Sequence, residues 1–102
     1  MFYTLSALIE ILVVERADAL HLHPGEKPVV EMTRTLFQVS GPPVERSDLE
    51  IILRHIASKE QFREFQSAGF ISCYHRVPGQ GWFTFMAFRE QNHIRLEIRS
   101  VR

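Results

Sequence analysis

In HIRLEIRSV, close to the C-terminus, Ile94, Leu96 and Ile98 alternate with Arg95, Glu97 and Arg99. A period of two means a strand with one buried and one wet face. A sheet that keeps a wet face is typically antiparallel. Candidate neighbours directly precede it: FISCYHRV and WFTFMAFRE, separated by the turn signal Pro78-Gly79-Gln80-Gly81. The last third therefore reads as a three-stranded meander, and the rest of the chain must supply a layer over its apolar side.

Helices for that layer are legible upstream. Leu5, Leu8, Ile9, Leu12 and Val13 recur at three- and four-residue intervals, predicting a helix from about Thr4 to Arg16, capped by Ser6 or Thr4. Ser47 with Glu50 three residues later reads as a capping box, opening a helix whose apolar stripe is Leu49, Ile52, Leu53 and Ile56. KEQFREFQSAG predicts a second, shorter helix with Phe62 and Phe65 as anchors, Gly69 as its C-terminal cap, and Glu60 and Glu64 on a solvated side. Between the first and second helices, ALHLH alternates, PGEKP turns, and VVEMTRTLFQV reads as one long strand or two short ones, with Val30, Met32 and Leu36 facing inward. SGPPVERSD is a loop, since Gly41-Pro42-Pro43 cannot continue a sheet interior. The expected order is α-β-β-α-α-β-β-β, a single α+β domain over 1–102 with an antiparallel sheet and helices packed on it.

Composition narrows the function. Hydrophobic residues make up 45% of the 102, ordinary for one globular core. Twelve basic residues balance twelve acidic ones, so no basic footprint points to nucleic acid. Glu10 interrupts the apolar N-terminal run, which has no basic flank or small-residue cleavage site; neither a signal peptide nor a membrane span is expected, and the expected compartment is the cytoplasm. Cys73 is the sole cysteine and reads as a small buried hydrophobe.

Catalytic chemistry finds no support. No GxxxxGK[ST] or GxGxxG is present, and Gly79-Gln80-Gly81 reads as a hairpin tip. His21 and His23 share a strand side while His75 and His93 lie on other strands, but no HExxH and no carboxylate spacing completes a metal site. Cys73 and His75 share a strand face without a helix N-terminus or basic cluster to lower the thiol pKa. The expectation is no enzyme, no catalytic residue, no cofactor and no metal.

The order of residues from about Leu5 to Val101 resembles the N-terminal, PAS-like domain of the PilT family, the retraction ATPases of type IV pili within the GspE/PilB secretion-motor superfamily. Leu20, His21, Leu22, Gly25, Pro28 and Leu36 match that pattern. Asp18-Ala19 replaces its Ser-Asp pair, and Glu31 and Arg34 replace an arginine and a glycine. In Gly81-Trp82-Phe83-Thr84-Phe85-Met86-Ala87-Phe88, the residues Gly81, Phe83 and Phe88 fit the family's G-R-F-R-V-N-V-F, while Trp82 and Thr84 stand where it has arginines. Arg99 matches a further family arginine.

The resemblance implies that arginines of this domain reach ATP phosphates held by a following ATPase domain, a role for the guanidinium fork that indole and hydroxyl cannot fill. The expected function is thus a non-catalytic interaction module freed from nucleotide coupling, whose partner is a protein of a pilus or secretion motor. The alternatives are the front part of a divergent motor ATPase and a PAS-like small-molecule sensor with phenylalanines lining its pocket. Alternation sets Trp82, Thr84 and Met86 opposite Phe83, Phe85 and Ala87, with Tyr74 across from Trp82 on the next strand. Trp82, Thr84, Arg89, Arg95 and Arg99 are the candidate contact residues. No nucleic acid and no membrane insertion is expected, and the isolated domain should be a monomer or a weak dimer through an unpaired sheet edge.

Overall fold

Nine elements follow one another in the computed structural model, which describes residues 3–101. They are α1 (Leu5–Val14), β1 (Ala19–Leu22), β2 (Val29–Met32), β3 (Thr35–Gln38), α2 (Arg46–Ile56), α3 (Lys59–Ala68), β4 (Phe70–Val77), β5 (Gly81–Glu90) and β6 (His93–Ser100). The strands form one antiparallel sheet in the order β3-β2-β1-β6-β5-β4, so the last strand lies at the centre, between β1 and β5. The fold class is α+β, as the sequence implies.

Side-chain alternation divides the sheet into two faces. One row across it runs Cys73, Phe85, Ile98, Leu20, Val30 and Phe37, on the helix side. Leu8, Ile9 and Leu12 of α1, Leu49, Ile52 and Leu53 of α2, and Phe65 of α3 complete the core. The next row runs Tyr74, Thr84, Arg99, Ala19, Glu31 and Leu36, on a face that no helix among the described residues covers.

One reading left open is settled, and two local expectations need correction. VVEMTRTLFQV is two strands, joined by Thr33 and Arg34 with φ of 48° and 66°. A two-residue hairpin of this left-handed kind normally carries Asn-Gly, and a β-branched residue with positive φ is strained. Asp18 holds the turn: its carboxylate accepts from Thr33 N–H at 2.9 Å, while its own N–H donates to the Glu31 carbonyl at 2.8 Å. With no glycine or proline at the turn, the sequence shows no break there.

The same register places Leu36 opposite Glu31, on the uncovered face, so Leu36 is 61% exposed rather than inward. Finally, α2 starts before Ser47. Glu45 is its N-cap and donates its N–H to the fully buried Asp48 carboxylate at 3.1 Å. An aspartate at the third helical position does here what Glu50 was expected to do.

The other caps follow the sequence. Thr4 Oγ1 accepts from Ala7 N–H, the Ser58 and Gln61 side chains bond each other's backbone N–H, and Gly69 closes α3 at a φ of 79° that only glycine adopts without strain. Replacing the strained residue of the β2–β3 turn gives a direct check. Thr33→Asn should stabilise the domain by about 1 kcal/mol, seen as a higher urea midpoint at unchanged slope. A lower midpoint would show that the threonine is not strained in this turn.

Candidate functional site

Four of the five candidate contact residues meet on the uncovered face, and the fifth does not. Trp82 is 48% exposed, and its ring centroid lies 4.8 Å from that of Tyr74, which is 59% exposed. The pair is diagonal, because the register sets Tyr74 opposite Thr84 and Arg76 opposite Trp82. Thr84 is half-buried between Tyr74 and Arg99. At the other end of β4 and β5, the Phe70 and Phe88 rings approach to 5.1 Å, and the Arg95 guanidinium lies 3.9 Å from the Phe88 centroid while it pairs with Glu90.

Arg89 has the opposite parity on β5 and points to the helix side. Its guanidinium donates to the Gln66 carbonyl near the end of α3, and its backbone N–H donates to the Gly69 carbonyl. Cations favour the negative end of a helix, so Arg89 acts as a helix-end brace.

Between the aromatic pairs and β3 lies a ring of charged groups that sequence reasoning did not assemble. His21 Nε2 is 2.9 Å from Glu31 Oε1, and His21 Nδ1 is 3.4 Å from Glu97 Oε1. Arg99 Nε donates to Glu97 Oε2 at 2.7 Å, and its Nη2 reaches Glu31 Oε1 at 3.5 Å. Ala19, fully buried, pairs with both Glu31 and Arg99, so the four side chains close over a methyl group. The His21 hydrogen bond, aided by Arg99 and opposed by burial, holds the Glu31 carboxyl below its ordinary value of 4.5. The bond to Glu97 raises the already high Arg99 pKa.

These groups hold one another in place. Both carboxylates are engaged by cations, and the ring offers no nucleophile. Cys73 is buried on the helix side, where desolvation pushes its thiol pKa up and so disfavours the reactive thiolate. Among the described residues no three His, Cys, Asp or Glu side chains come together for a metal ion. No helix among them is long and apolar enough to cross a membrane.

The interior between sheet and helices is filled by Phe85, Leu8, Ile9, Leu12, Leu20, Leu49 and Leu53. Of the phenylalanines, Phe65, Phe83 and Phe85 are core, whereas Phe37 and Phe70 are exposed. A cleft of about 440 Å³ does open at one end of the helix layer, lined by Tyr3, Leu5, Ile51, His55, His75 and Val77 among others. The His55 and His75 rings meet edge to face there at 5.6 Å, and burial, with His55 adding to it, lowers the His75 pKa.

No protein-family model matches the sequence, and no curated protein does either. Solved structures do match in fold. The pilus retraction motor PilT with bound ADP superposes with a TM-score of 0.88 at 18% identity, over 98% of this chain and 29% of that one. The Legionella pneumophila ATPase DotB gives 0.78 at 15% identity, over 98% and 30%. The Yersinia pseudotuberculosis ATPase DotB gives 0.68 at 16% identity, over 100% and 31%. The chain thus has the fold of the N-terminal region of these ATPases and spans roughly three-tenths of their length.

The charged ring makes stability depend on acid in a defined direction. A carboxyl whose pKa is lowered by folding stabilises the fold fully above 4.5 and loses that contribution as pH falls through the folded value. The stability gap between the native chain and Glu31→Gln should therefore be largest near neutral pH and shrink on acidification below about 4.5, as read by urea denaturation at each pH. A gap independent of pH would remove Glu31 from the ring.

Proposed function

We propose that this domain is a non-catalytic, cytoplasmic protein-interaction module that receives a pilus or secretion motor component on its uncovered sheet face. The observation that carries this reading is the exposed Tyr74–Trp82 pair beside the Glu31–Arg99–Glu97–His21 ring. Aromatic rings next to arginine, already held by their neighbours, are the composition of interface anchors. Preordered side chains lose less entropy on binding, which leaves more of the contact energy as affinity. The fold shared with a pilus retraction motor and two DotB ATPases supports the choice of partner class.

Trp82 and Thr84 stand at the resemblance's arginine positions, and they replace phosphate recognition with apolar and neutral polar surface. Arg99 remains, but two carboxylates engage it, which disfavours a role on phosphate. A second reading follows from coverage: a fold that matches 29% of a retraction motor is also what the front part of a divergent motor would show. In that case the same face would meet an ATPase domain. The mass of the endogenous protein, read by immunoblot with an antibody to this domain, separates the two. A band at 11.9 kDa supports the stand-alone module, and one several-fold heavier supports the motor.

Binding can be tested by co-precipitating motor and pilus proteins from the native cell and titrating the captured partner. Trp82→Ala should weaken that partner's binding about 30-fold, the size expected of an anchor, while the cooperative melt is kept. Unchanged affinity would remove the aromatic pair from the interface.

A further inference from the structure

The far edge of the sheet is unfinished in a way that fits one occupant. β3 pairs only with β2, and the Val39 N–H donates to the Pro28 carbonyl at 2.9 Å. Antiparallel pairing alternates hydrogen-bonded and non-bonded positions, so Thr35 and Phe37 also turn their backbone groups toward β2. Leu36 and Gln38 therefore turn theirs outward.

Apolar surface lies beside that edge on the helix side. Phe37, opposite Val30, is 49% exposed, and Val14 of α1 is 68% exposed. Two adjoining clefts of about 470 and 330 Å³ run along it, lined by Met32, Phe37 and Val39 on the sheet and by Ile11 and Val14 on α1, with Glu15 common to both. Helix α1, LSALIEILVV, carries a single charge, and a helix apolar all round is ordinarily enclosed. At the opposite edge Ile71, Cys73 and Val77 on the helix side of β4 are buried, and the cleft that His75 and Val77 border is walled by Tyr3, Leu5 and Ile51.

We propose that β3 pairs antiparallel with β3 of a second copy of this chain, about a twofold axis at Phe37. Leu36 of each copy then opposes Gln38 of the other, and all four outward backbone groups of each strand are satisfied. Phe37 faces its symmetry mate at the central non-bonded position, where side chains approach most closely. Arg34, exposed at the hairpin tip, falls opposite Ser40 of the second copy, which lines the same cleft as Glu15. The register thus brings each arginine to the end of the cleft that Glu15 of the other copy lines, and the symmetry does so twice. An unrelated strand could satisfy the edge, but this chain supplies apolar, backbone and charge complementarity from one register.

Analytical ultracentrifugation of the purified chain from about 1 µM to 1 mM should show a reversible monomer–dimer equilibrium with a Kd of about 10–100 µM, as suits a small interface. Phe37→Lys places like charges at the axis and should abolish the dimer while the melt is retained. Arg34→Glu should weaken it at least 10-fold, and adding Glu15→Arg to that variant should restore it. The register is read by mild oxidation: Phe37→Cys should form a disulfide-linked dimer, whereas Leu36→Cys, two positions out of alignment with its mate, should not. A monomer at 1 mM, a dimer indifferent to Phe37→Lys and to the charge swap, or equal cross-linking at both cysteines would overturn the proposal.

Discussion

Everything in this domain hangs on the pairing of β6 with β1. Leu20 lies against Ile98 and Leu22 against Leu96, and these contacts join a hairpin unit of β1–β3 to a hairpin of β4–β5 through a single shared strand. All four residues are completely buried beneath the helices. Without that seam there would be two separate three-stranded sheets, each with half an apolar face and a further open edge. The helices are the second half of the same constraint. They cover one face only, so the other must be made tolerable to solvent by its own side chains.

That second face meets the requirement in two different ways. Over β1 and β6 the sheet centre is roofed by charge, with two carboxylates, a guanidinium and an imidazole closed around Ala19. A larger residue at Ala19 would push the four groups apart. Over β4 and β5 the roof is aromatic, Tyr74 with Trp82 at one end and Phe70 with Phe88 at the other. Arg95 ties the second pair to the charged edge through its position over Phe88. The face therefore carries ordered apolar surface next to ordered charge, and neither depends on a ligand for its geometry.

Much of this was legible from residues close in sequence. The meander followed from the period-two pattern of Ile94, Leu96 and Ile98, and the helices from stripes such as Leu49, Ile52, Leu53 and Ile56. Where reading failed or stayed open, the controlling interaction was distant or unmarked. The Thr33–Arg34 turn is held by Asp18, fifteen residues away, rather than by a turn residue of its own. The cap of α2 was misplaced by two residues because a buried aspartate, which looked like one more loop residue, is the group that closes it. Arg99 and Glu31 are separated by 68 positions, and only the sheet order brings them together. Arg89 was grouped with Arg95 and Arg99 although its parity on β5 sends it to the end of α3. Spacing along one strand identifies a face, but only the order of strands identifies a site.

The central position of β6 also governs how the molecule comes into being. Synthesis delivers β1–β3 and β4–β5 before the strand that belongs between them. On the ribosome the nascent chain must carry both half-sheets with their inner edges unpaired, and neither can settle until β6 has emerged. Domains complete their folding as units, and pairings between remote segments are slow to form. A polypeptide truncated within β6 would accordingly be an open, adhesive pair of fragments rather than a slightly smaller version of the native domain.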